Sequence, residues 1–217
     1  FKGRNSANSS LGDWTVDNQK YPKGMHPLVS HIHSMGMTFG LWFEPEMVSP
    51  DSDLFRSHPD WILGEKDQTL GREQYVLDIS IKEVQEYLFK SIDKILNEYP
   101  IDYIKWDHNR VLPHPDASQT RALYRLLSRI RQAHPSLEIE SCSSGGGRID
   151  YGVLEHTQRV WLSDSNDALE RLRIQHEALL WLPLSVTGRH VGPEVCHTSG
   201  RVLSMSFRAG VAAQVHM

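Results

Sequence analysis

The sequence predicts an α/β fold in which parallel strands alternate with helices, and three observations predict it. Short apolar runs rich in β-branched and aromatic residues alternate with longer segments of helical period. Polar or charged residues collect directly after each apolar run. The 217 residues are 39% apolar and 23% charged, an ordinary globular composition that can bury a sizeable core.

Taken in order, strands are expected at Thr38 to Phe43, Tyr103 to Trp106, Leu137 to Ser141, Arg159 to Leu162 and Leu184 to Thr187, with Tyr75 to Leu77 as a short extra strand. Helices are expected at His26 to Met35, Ile81 to Glu98, Ser118 to Ala133, Asn166 to Trp181 and Ser199 to Ala213. The second helix opens with Ser80 and Glu83, the spacing of a capping box, and Val84, Leu88, Ile92, Ile95 and Leu96 share one face. Pro100 marks its end. Short polar side chains from Asp164 to Asp167 suit the start of the fourth helix. No repeat, low-complexity tract or linker divides the chain, so one domain is expected.

The polar clusters behind the strands are Glu44 and Glu46, Asp107 and Asn109, Cys142 to Ser144, Asp164 and Asp167, and His190. In a parallel α/β barrel the carboxyl ends of the strands form the active-site face, so these clusters are expected at one mouth.

Composition narrows the function classes. The formal net charge is −4 and no Lys/Arg run stands out, which argues against nucleic acid as partner and for a neutral or mildly polar ligand. Two cysteines, Cys142 and Cys196, do not make a disulfide framework, and a reducing compartment is expected. No apolar stretch reaches the ~18 residues that span a bilayer, and the N-terminus lacks a signal-peptide pattern. The chain reads as soluble and cytoplasmic, without a membrane partner. It starts at Phe1, so upstream sequence is expected.

Asp107 lies in Lys105-Trp106-Asp107-His108-Asn109-Arg110, directly after the apolar run Ile101 to Ile104. Lys105, two residues away along a strand, points to the same face and suits the ionised carboxylate a nucleophile requires. A buried structural ion pair explains the spacing equally well. Asp164 follows Trp161-Leu162-Ser163; paired with Asp107 it makes the two carboxyl groups of glycoside hydrolysis, and taken alone it suits a helix N-cap. Asp167 is its nearest rival.

Cys142 to Arg148 is a glycine-rich turn without the Lys-Ser/Thr ending of a phosphate loop, and its glycines suit close backbone approach to a ligand. Twelve histidines raise the question of a metal. His31 and His33 diverge on a helix, no His-x-x-x-His pair carries a nearby Glu and no Cys-x-x-Cys occurs, so neither metal nor cofactor is expected. His58, His114, His134 and His156 are read as solvated. Trp14, Trp42, Trp106 and Trp161 are each either core residues or platforms for the apolar side of a sugar ring, and Trp42, ahead of Glu44-Pro45-Glu46, favours the sugar.

Five ordered motifs carry a family resemblance. They are Gly40 to Met47, Tyr75 to Asp78, Tyr103 to Arg110, Glu140 to Gly146 and Ser163 to Ala168. Together these resemble the bacterial-type α-galactosidases of glycoside hydrolase family 36, and the likeness begins at Leu11-Gly12-Asp13-Trp14 and runs almost to the last residue. The resemblance implies a (β/α)8 TIM barrel that cleaves terminal α-galactosides, such as melibiose and raffinose, with retention of configuration. It implies Asp107 as nucleophile and Asp164 as general acid/base, with Trp42, Arg72, Lys105, Asn109, Cys142, Gly145 and Arg159 lining the galactose pocket. Lys105 and Arg72 are then expected to keep Asp107 ionised. No cofactor is implied, and enzymes of this type are often homo-tetramers.

The family's Asp-Asp-Gly-Trp motif is absent and would end just before Phe1. First, second and eighth strands and flanking β-sandwich domains are also missing, so residues 1–217 are expected to be a partial barrel of about strands three to seven. Rival readings are an α-N-acetylgalactosaminidase, a raffinose-type galactosyltransferase and a non-catalytic sugar-binding fragment.

Overall fold

The computed structural model describes residues 1–114 and 117–213, which fall into two compact units, Phe1–Glu138 and Ile139–Met217.

The first unit contains, in order, α1 (His26–Ser34), β1 (Gly40–Phe43), β2 (Met47–Val48), α2 (Asp53–Ser57), β3 (Tyr75–Val76), α3 (Lys82–Glu98), β4 (Tyr103–Trp106) and α4 (Ala117–Ala133). Strands β1 and β4 pair in parallel, with Gly40 opposite Tyr103, Trp42 opposite Lys105 and Phe43 opposite Trp106. A parallel pair needs a crossover connection, and the long α3 lies in it. As expected, α3 buries Val84, Leu88, Ile92, Ile95 and Leu96 on one face, each worth about 1.5–3 kcal/mol. Against it packs α4, whose buried face includes Leu123, Leu126, Leu127 and Ile130. Buried Gln119 of α4 donates to Leu77 O at 3.0 Å and accepts from Ile79 N at 3.1 Å, fixing the chain as it leaves β3. The short strand foreseen near Tyr75 is β3, antiparallel to β2.

The capping box does not form. Ile81 is the N-cap of α3 and makes no side-chain cap bond. Asp78 Oδ1 instead accepts from Ser80 Oγ at 2.5 Å and Ser80 N at 3.0 Å, an Asx turn that takes the serine away from the helix.

The second unit contains β5 (Glu138–Ser141, its first residue at the boundary), α5 (Tyr151–Leu154), β6 (Arg159–Trp161), α6 (Ala168–Ala178), β7 (Thr187–Gly188) and α7 (Met205–Ala212). Strand β6 pairs in parallel with β5 and with β7. The strand expected at Leu184 to Thr187 is mostly a 3-10 turn, Leu184–Val186, closed by a 2.9 Å bond from Thr187 Oγ1 to Leu184 O, so pairing begins only at Thr187. Helix α7 starts six residues later than expected. Gly200 has φ +69°, outside the helical region, while Ser199 and Arg201 turn their side chains to Asp167, and Ser204 then caps the helix through Phe207 N. Helix α6 is shorter than expected, and Leu180 and Trp181 beyond its end are exposed.

Two histidines expected in solvent are engaged. His134 Nε2 lies 2.8 Å from Asp93, and His58 stacks on Trp61 with ring centroids 3.8 Å apart. Among the described residues no helix is long and apolar enough to cross a membrane.

Candidate active site

Asp107 stands one residue beyond the end of β4 and is 7% exposed. Its backbone N–H continues the β1–β4 pairing by donating to Phe43 O at 2.8 Å, so the strand itself sets its position. Oδ1 accepts from His108 N at 2.9 Å, and Oδ2 accepts from Trp42 Nε1 at 3.0 Å and Asn109 Nδ2 at 2.5 Å. These three donors are neutral. Lys105 is half-buried on β4, at the register position of Trp42.

Behind Asn109 stands Glu44, fully buried at the end of β1. Its Oε1 accepts from Asn109 N at 3.1 Å and Asn109 Nδ2 at 2.8 Å. Burial raises the Glu44 pKa above the ordinary carboxyl value; Asn109 works against that rise and Asp107 adds to it. Arg72, expected to help keep Asp107 ionised, places Nη1 3.8 Å from Glu44 Oε1. Its backbone is left-handed, φ +52°, and the loop that presents it is gripped by Arg110, which donates to Gln68 Oε1 at 2.9 Å and Thr69 O at 2.6 Å.

The four tryptophans separate into different roles. Trp14 is a core residue, its ring 5.1 Å from Phe1 and 5.3 Å from Phe43. Trp106 is 1% exposed and donates to Glu46 Oε1 at 2.9 Å. Trp42 is half-buried on Asp107. Trp161 is buried in the second unit and donates Nε1–H to Asp164 Oδ1 at 2.9 Å.

Asp164 is exposed, three residues beyond β6, and is not an N-cap. That role falls to Asp167, fully buried, whose Oδ1 accepts from Leu169 N and Glu170 N while Oδ2 accepts from Ser199 Oγ at 2.6 Å and Arg201 Nε at 2.8 Å. Burial pushes the Asp167 pKa up, but these bonds outweigh it and hold the group below the usual carboxyl range. The two roles that spacing left open between the two aspartates are thus divided: the rival is spent on structure and Asp164 is not.

Around Trp161 the sequence left the partners unforeseen. His190 stacks on its ring at 4.6 Å, and the Arg171 guanidinium lies 4.2 Å from the ring centroid. Arg171 is buried, and desolvation, with Arg189 nearby, lowers its pKa to about 10. Nothing in local spacing marks Arg171, which sits mid-helix among ordinary surface charges.

The glycine-rich turn meets the protein's own backbone. A Cβ on Gly145, φ +85°, would lie 2.8 Å from Ser163 Cα and 3.2 Å from Asp164 N, and one on Gly146 would lie 2.8 Å from Leu162 O. The glycines therefore let the turn close on the segment carrying Asp164. Cys142 beside it is buried and not in a disulfide, and Arg159 sits at the register position of Glu140. Among the described residues no group of three or more His, Cys, Asp or Glu side chains is gathered to hold a metal.

The melibiase family profile matches residues 1–217. The chain belongs to the melibiase family. It is 49% identical over 226 aligned residues to an α-galactosidase of Escherichia coli, a match covering 100% of this chain and 32% of that protein. Among solved structures, the galactosidase domain of the α-galactosidase–sucrose kinase AgaSK superposes with a TM-score of 0.92 at 40% identity, over 98% of this chain and 30% of that one. A family 36 α-galactosidase AgaA variant from Geobacillus stearothermophilus, in complex with stachyose, gives 0.90 at 39% identity, over 98% and 32%. The expected α/β barrel class is thus the fold of these family members over the matched residues. The chain spans about a third of the length of the curated relatives it matches.

Proposed function

We propose that this chain is part of the catalytic (β/α)8 barrel of a retaining α-galactosidase that hydrolyses terminal α-galactosyl groups from oligosaccharides of the raffinose type. One observation carries the reading: two carboxyl groups follow separate parallel strands, and each accepts an indole N–H that fixes its orientation. A non-catalytic sugar-binding module has no use for such a pair. Membership of the family and the likeness to structures solved with stachyose and raffinose support the substrate class.

In the first step Asp107 attacks the anomeric carbon and the glycosidic C–O bond breaks. The departing oxygen takes the proton of Asp164, leaving a β-galactosyl ester on Asp107. In the second, the Asp164 carboxylate removes a proton from water, whose oxygen attacks the same carbon, expels Asp107 and yields α-galactose. Because the Trp161 indole occupies Oδ1 of Asp164, Oδ2 is the oxygen that carries the transferred proton. Trp42, Arg72, Lys105, Asn109, Cys142, Gly145 and Arg159 line the sugar pocket in this reading, with no cofactor or metal. On the same footing the full-length protein is a cytoplasmic homo-tetramer.

The test is replacement of Asp107 by Gly in the full-length protein. Turnover of p-nitrophenyl α-galactoside should vanish, and azide should restore it with formation of β-galactosyl azide. Substantial residual activity without azide rescue removes Asp107 from the role.

A further inference from the structure

Glu44 is a costly residue to bury. It is fully buried at the end of β1, and its Oε2 accepts no hydrogen bond among the described residues. A leucine of similar size would avoid the desolvation, so the carboxyl must offset its cost through what Oε1 does.

Both hydrogen bonds of Oε1 come from Asn109, one from its backbone N–H and one from its side-chain nitrogen. The amide nitrogen of Asn109 has two hydrogens. One goes to Glu44 Oε1 at 2.8 Å and the other to Asp107 Oδ2 at 2.5 Å. Rotating the amide by half a turn would set its carbonyl oxygen against both carboxyl groups, an arrangement without a donor. Two acceptors, one on either side, therefore leave Asn109 a single orientation.

We propose that Glu44 is a positioning residue for Asp107, acting through Asn109 by holding the amide nitrogen on the reactive carboxylate. The proposal rests on Asp107 being the attacking group. Arg72, 3.8 Å from Oε1, lies beside this relay and balances negative charge so close to Asp107. Raised by burial, the Glu44 carboxyl also tends toward its neutral form, which spares Asp107 a second full negative charge.

The test is a double-mutant cycle in the full-length protein, reading kcat, KM and Tm with p-nitrophenyl α-galactoside. Glu44→Leu and Asn109→Ala should each lower kcat by about 30-fold, and the double variant should lose no more than the worse single one. Losses that multiply toward about 900-fold overturn the proposal, because two independent structural roles multiply. Should Glu44→Leu not fold, Glu44→Gln serves in its place, since it keeps an acceptor for Asn109. It should cost about threefold in kcat beside Asn109 and nothing further beside Asn109→Ala. A loss from Glu44→Gln as large as that of Asn109→Ala, and undiminished when Asn109 is already Ala, overturns the proposal. Azide rescue of Asp107→Gly reports on Asp107 without involving Glu44, so a failure of the mechanism and a failure of this relay are told apart.

Discussion

Asp107 and Asp164 each follow a parallel strand and each accept an indole N–H, yet they are held in opposite ways. Asp107 is buried, positioned by the strand ladder through its backbone and gripped by Trp42, Asn109 and His108 N–H. Asp164 is exposed, three residues past its strand, and its Oδ1 accepts from the Trp161 indole. The difference fits the double displacement proposed for these two groups. A nucleophile gains from a fixed line of attack, whereas an acid that becomes a base must exchange its proton with water at every turnover. The support for Asp164 lies one layer back, in the ring of Trp161 with His190 and Arg171 packed upon it.

The largest effect that separates the two aspartates depends on the leaving group. Asp107→Asn should lower kcat/KM on the order of 10⁴-fold for every α-galactoside. Asp164→Asn should do so for melibiose and raffinose but spare galactosyl-enzyme formation from p-nitrophenyl α-galactoside, whose departing oxygen needs no proton. Burst kinetics would reveal the spared step. If Asp164→Asn slowed that burst as much as Asp107→Asn does, the division of labour would be wrong.

A smaller effect tests the indoles. Trp161→Phe removes the side-chain donor on Asp164 and should cost about 10- to 100-fold in kcat, in line with ~1.5–3 kcal/mol for a hydrogen bond to a charged group. Trp42→Phe removes one donor of several on Asp107, so its effect on kcat should be smaller, about threefold to tenfold. The reverse order, with both variants folded as judged by Tm, would show that Asp107 depends on its indole more than its other donors compensate.

The smallest effect is on stability. Asp167→Asn should destabilise the protein by about 2 kcal/mol at neutral pH, because the buried acceptor of Ser199, Arg201 and two helix N–H groups loses its charge. The folded carboxyl pKa lies below its ordinary value of 3.8, so its contribution is fully present above that value. It fades as pH falls through the folded-state pKa. The gap in Tm between the parent and the variant should therefore close below about pH 3.8, and a gap that persists at lower pH would show that packing, not charge, is responsible.

Much of this was legible in the sequence because local pattern dictated it. The apolar face of α3, the strand at Tyr103 to Trp106 and the position of Asp107 behind it follow from period and order alone. The misses have one thing in common: a side chain took a partner other than the one the pattern offered, sometimes close by and sometimes far along the chain. Ser80 matches a capping box, but Asp78 claims its hydroxyl. Ser199 to Leu203 matches a helix in composition, but Ser199 and Arg201 are committed to Asp167, more than thirty positions away. Spacing alone made Asp164 look like a helix cap, and only the network around Asp167 frees it.

By itself, then, the sequence determined the strand-helix alternation and the placing of Glu44, Asp107 and Asp164 behind strands, because side-chain period and strand ends are properties of neighbouring residues. Tertiary structure decided which oxygen accepts which hydrogen. Asn109 is committed to both Glu44 and Asp107, Arg72 stands by Glu44, and Trp161 holds Asp164. Hydrogen bonds and ion pairs act over about 3–4 Å in space, and residues tens of positions apart reach that range only when the backbone between them has folded.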